Sequence, residues 1–401
     1  MAPDRDRDSG ARPLVTVRDD DEPEFRNEVQ RRSRARVNLR RRGVDHGTWA
    51  ELDRHGLLPP RSRRKKREAL QLQRWTAARP LVLPGVIEDV AQLVPEAHAF
   101  LPRLAEADGL VRYVEERLGS TDFRVFDRAA SLADLERDLA RVGIAARDAD
   151  APQDLWAKLG RLSTFDGDAS LRLRVAFGEE VDDDASRDPE RHRRVHELGR
   201  ALVPGFDAID GNVELRELLE RLTGSPILLT QPIAYGNAPE GGALFHHDAF
   251  APDDTSPEGS GQLGVCYVQL AGRTAWLAVS IEDLALRLRE FFAWLAEDDL
   301  RELRDELYPD EVAWNGAQAL VDDWGALQRE LALPDCGRLR QVVNLGPEFT
   351  SVLADAGHGA VLKAGDAILL PNHGLTRTAM HSVFCVSPIG TYAVSLAVRA
   401  R

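Results

Sequence analysis

The sequence predicts a mixed α+β protein whose C-terminal part is a sandwich or barrel of short strands. Three observations carry this. From Ser225 onward, short apolar runs are bounded by Gly, Pro, Asn and Ser: SPILLTQPIAYGN, QLGVCYVQLAG, TAWLAVS, GAVLKAGDAILLP, MHSVFCVS and GTYAVSLAVRA. That is the punctuation of strands. Before Ser225, long stretches such as VELRELLERLTG repeat their apolar residues with the 3.6-residue period of helices. A second helical stretch, residues 281–335, then interrupts the strands and reads as an insertion between two of them.

Taken in order, residues 1–25 are acidic and poor in apolar side chains, and they are expected to be disordered. Residues 26–75 carry sixteen Lys and Arg against five acidic residues, a net +11 on a chain whose total is −14. Such a basic arm on an acidic body suits nucleic acid or the ribosome, or else it folds back on that body. Residues 76–224 are expected to be a helix-rich scaffold. Within it GVIEDVAQLVPEAHAFLPRLAEADGLVRYVEERLG closes on a helix-ending Gly, and SLRLRVAFGEEV alternates like a strand. Residues 225–401 form the strand domain.

Composition narrows the class. The 401 residues are 43% hydrophobic and 29% charged, an ordinary globular balance. No apolar run is long enough for a membrane span, and MAPDRDRDSG lacks the apolar core of a secretory signal. Cys266, Cys336 and Cys385 are sparse and far apart, which fits a reducing cytoplasm and argues against a cysteine-held zinc.

Ten histidines are present. His192 and His196 sit four apart in DPERHRRVHELGR, a highly charged helix without the HExxH pattern, and read as a solvated face. FHHDAF is different. In an extended segment alternate side chains share a face, so His246 and Asp248 point the same way. An imidazole and a carboxylate so placed supply two-thirds of a 2-His-1-carboxylate facial triad. The third ligand must come from elsewhere. His381, 133 residues after Asp248, opens a later strand, and His373 in the preceding loop is its rival.

These motifs together resemble the JmjC-type cupin oxygenases. The shared pattern is Tyr235, Pro239, Gly241 or Gly242, His246 and Asp248, then Gln269, Leu270, Gly272, Arg273 and Trp276, and finally Gly365, Asp366, Pro371 and His381. It covers roughly residues 225–399. The resemblance implies a double-stranded β-helix, the cupin or jelly-roll core. It implies Fe(II) held by His246, Asp248 and His381, with 2-oxoglutarate as cosubstrate in a dioxygenase that hydroxylates a protein or small molecule. Tyr235 and Arg273 are then its candidate catalytic residues. Gln231, Asn237, Thr274, Arg377, Thr391 and Arg399 are its candidates for contacting the cosubstrate. The sequence departs from the pattern in three ways: APDDTSPEGSG lengthens the loop after the His-x-Asp, NHGLTRTAM lengthens the Pro-to-His spacing, and the usual basic residue is absent, with Thr274 just past Gly-Arg and Thr391 about ten residues past the distal His, where related oxygenases carry an Arg. Two other readings stay open. One is a cosubstrate-free metal enzyme in the same fold, and the other is a non-catalytic protein that binds through its basic arm.

Overall fold

The structure is a computed structural model and describes residues 29–31, 35–37, 60–93, 97–127, 138–147, 155–162, 168–178, 189–239, 241–249, 262–297, 300–308, 310–345 and 347–401. The expected disorder of residues 1–25, the first arginine cluster apart from its described strand residues, and the loop 251–261 lie outside them.

Strands β1 (Val29–Arg31) and β2 (Ala35–Val37) form a small antiparallel pair. A helix follows at Pro60–Thr76. Then come β3 (Leu81–Leu83), β4 (Phe123–Asp127), β5 (Asp138–Ala146), β6 (Leu155–Arg161) and β7 (Leu171–Phe177), with helices at Ala97–Leu104 and Gly109–Leu118 among them. Helices at Pro189–Leu202, Phe206–Asp210 and Val213–Thr223 lead to eight further strands. These are β8 (Ile227–Gly236), β9 (Gly242–His246), β10 (Gln262–Ala271), β11 (Arg273–Ser280), β12 (Gly359–Lys363), β13 (Ala367–Pro371), β14 (Ala379–Cys385) and β15 (Tyr392–Ala400).

Two antiparallel sheets face each other. The larger has nine strands in the order β3-β13-β10-β15-β8-β7-β6-β5-β4, and the smaller runs β12-β11-β14-β9. The chain therefore crosses back and forth between the sheets from β8 to β15. Strand alternation sorts each sheet's side chains into two faces. Val265, Tyr267, Ile368, Leu370 and Ala393 of the large sheet meet Trp276, Ala278, Ala360, Leu362 and Val383 of the small one in a common interior. The opposite face of the large sheet (Cys266, Val268, Leu270, Val394, Leu396, Val398) packs under the N-terminal helices. The opposite face of the small sheet (Ala275, Leu277, Val279, Met380, Phe384) packs under the helical insertion.

Two expectations need correction. Residues 76–224 are more than a helical scaffold, because β3 to β7 belong to the same hydrogen-bonded sheet as the C-terminal strands. The boundary at 224/225 therefore does not separate two sheets. β6 escaped notice because six of its seven residues are buried, so it lacks the polar alternation of a half-buried strand. The insertion also runs further than 281–335. It begins at Ile281, where the Ser280 side chain caps the helix by accepting from the Asp283 N–H. It ends only where β12 starts at Gly359. Pro334, Gly337, Pro347 and Gly357 cut its last quarter into turns too short to show a period. No helix among the described residues is long and apolar enough to cross a membrane.

The helices at 189–202, 206–210 and 213–223 are tied at one carboxylate. Asp210 accepts from Arg200 (2.7 Å), Arg216 (3.0 Å) and His196 (3.1 Å). Burial alone would raise its pKa, but the hydrogen bonds from His196 and Arg200 outweigh it and hold the group down at about 2. A depressed carboxyl stabilises the fold above its unfolded value, near 3.9, and loses that contribution as pH falls toward about 2. Asp210→Ala is expected to cost roughly 1–3 kcal/mol, because it strands three donors. Urea unfolding at neutral pH checks this. Between about pH 4 and 2 the variant's stability should change less steeply than the parent's.

Candidate metal centre

β9 is a short edge strand, and its last residue, His246, lies directly opposite His381 of β14. His381 in turn lies opposite Ala278 of β11, one of the interior residues. The register thus brings two imidazoles side by side, with ring centroids 4.2 Å apart. Asp248, two residues past His246, completes the group. Its carboxylate lies 3.8 Å from His246 Nε2 and 3.7 Å from His381 Nε2. Those separations are long for hydrogen bonds. They suit one shared ion, since two ligands at about 2.1 Å from a metal stand about 3–4 Å apart. His246, Asp248 and His381 are the one such His/Cys/Asp/Glu group among the described residues.

The local chemistry prepares both imidazoles. His246 Nδ1–H donates to the Leu244 carbonyl at 2.6 Å, which fixes the tautomer and leaves Nε2 free to bind a metal. Burial, then the neighbouring His246, push His381 down to about 3. It is therefore neutral at ordinary pH, as a ligand must be. His381 stacks on the Trp276 indole, with centroids 5.5 Å apart and planes 24° apart.

His247 points away from the group. Its Nε2–H donates to the Ala332 carbonyl in the helical insertion, and its Nδ1 accepts from the Ala249 N–H. The segment between the ligands is thereby pinned from outside. Gln262, at the start of β10, pins it from the large sheet by donating to the Asp248 carbonyl at 3.2 Å. The Asn344 side chain accepts from the Phe245 N–H at 2.8 Å and so occupies the open edge of β9. Sequence reasoning missed all three. Only the adjacency of His247 to His246 hinted at any of them.

The other candidate residues divide by position. Tyr235 lies in the interior, accepts from the Ser395 hydroxyl at 3.3 Å and faces Tyr267. Burial, then the nearby Asp248, push its phenol up to about 12, so it stays protonated. Arg399 is on the same inward face of β15 as Ser395, two pairs along. It is 3% exposed, lies opposite Gln262 in the ladder and donates to the Thr230 hydroxyl at 3.1 Å. It is therefore at the metal end of the barrel. Gln231 sits half-buried at a bulge in β8 with a left-handed φ of 48°.

Four candidates lie elsewhere. Asn237 and Thr391 are buried and joined by the Thr391 N–H to the Asn237 carbonyl. Thr391 precedes Tyr392, which pairs with Ala271 at the far end of β10, about 30 Å of strand from Gln262. Arg273 starts β11 five residues before Ala278 and, by alternation, faces away from the interior. It does not reach the metal group. Arg377 is on the surface and donates to the Thr76 carbonyl. His373 donates to the Trp75 carbonyl at 2.8 Å and is not with the ligands. Thr274 is in the interior, but its hydroxyl is committed: it donates to Gln269 Oε1 (2.6 Å) and accepts from Trp276 Nε1 (2.9 Å).

No family model and no curated sequence matches the chain. Among solved structures it is similar to the non-heme alpha-ketoglutarate-dependent epimerase SnoN from nogalamycin biosynthesis, at 13% identity over 84% of this chain and 82% of that one, with a TM-score of 0.30. It is similar to the same epimerase in complex with Fe3+, alpha ketoglutarate and nogalamycin RO, at 14% identity over 84% of both chains, TM-score 0.31. A third is AviO1 from Streptomyces viridochromogenes Tue57, at 12% identity over 82% of this chain and 94% of that one, TM-score 0.28. These likenesses are too distant to carry a functional reading, which rests on the geometry of the site.

Removing the clamp on the ligand segment should loosen the metal without unfolding the chain. His247→Phe is expected to weaken divalent-metal binding about 10–100-fold, whereas Asp248→Ala should abolish it. Calorimetric titration with Co(II) reads both, and circular dichroism confirms that each variant is folded.

Proposed function

We propose that the chain is a non-heme Fe(II) enzyme that uses 2-oxoglutarate to oxidise a C–H bond of its substrate. The observation that carries this reading is the convergence of His246, Asp248 and His381 at one end of the sheet interior. Two imidazoles and one carboxylate leave open positions on an octahedral metal, the donor set suited to non-heme iron. Strands β8 to β15 pair as β8-β15-β10-β13 and β9-β14-β11-β12. That order supports a double-stranded β-helix, and the run from Tyr235 to Trp276 supports its JmjC-like type.

Iron bound there would supply dioxygen activation and the hydroxylating step. The chain's own residues do the rest. Arg399 gives the distal carboxylate of the cosubstrate a charged partner at the metal end, the role that Thr274 and Thr391 cannot fill. Trp276 and Tyr267 wall the interior and exclude water. Tyr235, kept as a neutral phenol, can donate a hydrogen bond toward the bound oxygens. The three cysteines are all buried and joined in no disulfide, which suits the cytoplasm.

The basic segment 26–75 adds a contact for nucleic acid or the ribosome. Near the end of its helix, Trp75 packs against Gly264, two residues from Gln262. Phosphate-bearing partners would thus be held beside the metal end. A second reading is favoured by Thr274, whose hydroxyl is fully committed within the barrel. It is a metal enzyme of the same fold that needs no 2-oxo acid.

Anaerobic titration of the Fe(II)-loaded protein with 2-oxoglutarate separates the two. A visible charge-transfer band is expected in the parent and not in His246→Ala. Metal bound without a band would favour the cosubstrate-free enzyme. Arg399→Leu should retain Fe(II) and weaken 2-oxoglutarate about 10–100-fold, the loss of one charge-assisted hydrogen bond.

A further inference from the structure

The inner face of the large sheet changes character beyond the barrel. The small sheet ends at β9, whereas the large one continues past β8 through β7, β6, β5 and β4. On these strands alternation gives one apolar face, where Val142, Leu159, Leu173 and Val175 pack under the N-terminal helices. The other face is the one that carries Tyr235, and four cations stand together on it. Arg172 lies opposite Tyr235, Arg174 opposite Ile233, Lys158 opposite Arg174, and Arg141 opposite Lys158. Like charges directly opposed weaken a sheet, and a bound anion would offset their repulsion.

The four are not equivalent. Lys158 (1% exposed) and Arg141 (6%) are buried and, like Arg174, engaged within the chain. Arg172 is half-buried, and its Nε is shut off from solvent without a hydrogen-bond partner among the described residues. Gly160, opposite it on β6, puts no side chain beside it. A guanidinium so placed offers a charged, two-pronged donor with room for a ligand.

Arg172 also lies on the open side of the metal group. The side chains of His246 and Asp248 are 41% and 39% exposed, against 5% for His381. The group is therefore approached from the edge strand β9. Tyr235 links the two places. Beyond the burial that dominates its shift, Asp248 pulls its phenol up, while Arg172 and Arg174 pull it down. The carboxylate and the two guanidiniums are thus within electrostatic reach of one hydroxyl.

We propose that Arg172 is the centre of an anion-binding site, which takes a phosphate or carboxylate group of the substrate and holds it beside the metal group. Arg174, Lys158 and Arg141 stand behind it and deepen the positive potential. Two guanidiniums then divide the anions. Arg399 on β15 takes the cosubstrate carboxylate, and Arg172, two strands away on β7, takes the substrate's charged group. The assignment to the substrate rests on the iron and 2-oxo acid reading above.

The test loads the full chain with Co(II), which replaces Fe(II) without turnover, and saturates it with 2-oxoglutarate. The complex is then titrated at low salt with inorganic phosphate, and separately with acetate, by calorimetry. Saturable binding is expected in the parent. Arg172→Leu should weaken it about 10–100-fold, and Arg172→Lys, which keeps the charge and loses the fork, by less. If circular dichroism shows Arg172→Leu unfolded, Arg172→Lys carries the comparison. Arg221→Leu removes the same charge from an exposed position on the helix Val213–Thr223, under the opposite face, and should leave binding unchanged. Tighter phosphate marks a phosphate ester as the substrate, and tighter acetate a carboxylic acid. The proposal is overturned if neither anion binds, if the Arg172 variants bind as the parent does, or if Arg221→Leu weakens binding equally. A parent that takes up no Co(II) or no 2-oxoglutarate overturns the iron reading, and the substrate assignment with it. Metal and 2-oxoglutarate bound with no anion bound overturns the anion site alone.

Discussion

The antiparallel pairing of β14 with β9 is the constraint on which the site depends. It sets His381 opposite His246, and a one-residue slip would turn one imidazole out of the interior. Yet β9 has only five residues and lies at a sheet edge, where a strand so short frays easily. It is held from three directions. Phe245 is 1% exposed and contributes roughly 1.5–3 kcal/mol of burial. Asn344 closes the open backbone edge, and His247 ties the next residues to Ala332. The helical insertion, far from the ligands in sequence, is therefore what makes the ligand strand rigid.

The electrostatics follow from the same placement. The site gathers two imidazoles, the Asp248 carboxyl group and the protonated Tyr235 phenol in a largely apolar interior. Burial dominates each clear shift: it lowers His381 and raises Tyr235 and Tyr267. A divalent cation would relieve the local excess of acceptors. The charged residues outside, such as the bidentate Arg79–Asp283 pair, instead fasten the N-terminal segment to the barrel rim, and Asp283 also takes part in the Ser280 cap.

Much of this was legible in the residues. Apolar runs bounded by Gly, Pro, Asn and Ser exposed most of the C-terminal strands, and the period-2 alternation of an extended segment put His246 and Asp248 on one face. His381 was legible because it opens a strand after a turn. Other features carry no local signature. β6 is buried on both faces, and the end of the insertion is broken into short turns. The fate of Arg273 depended on which face of β11 looks inward, and alternation gives only the relative sense. Arg399 and Gln262 became partners only through a register across 137 residues of chain. The roles of Asn344 and Ala332 depend on tertiary packing that no sequence period encodes.

The position of β15 has a consequence for how the chain is made. The last strand, Tyr392–Ala400, is not at a sheet edge but between β10 and β8, in the middle of the nine-strand sheet. Until β15 is made and inserted, the sheet can exist only as two separate pieces, each with a long bare edge. Arg399 arrives with that strand. The sheet is thus exposed to mispairing until β15 enters it, and that strand closes the interior that would receive a metal.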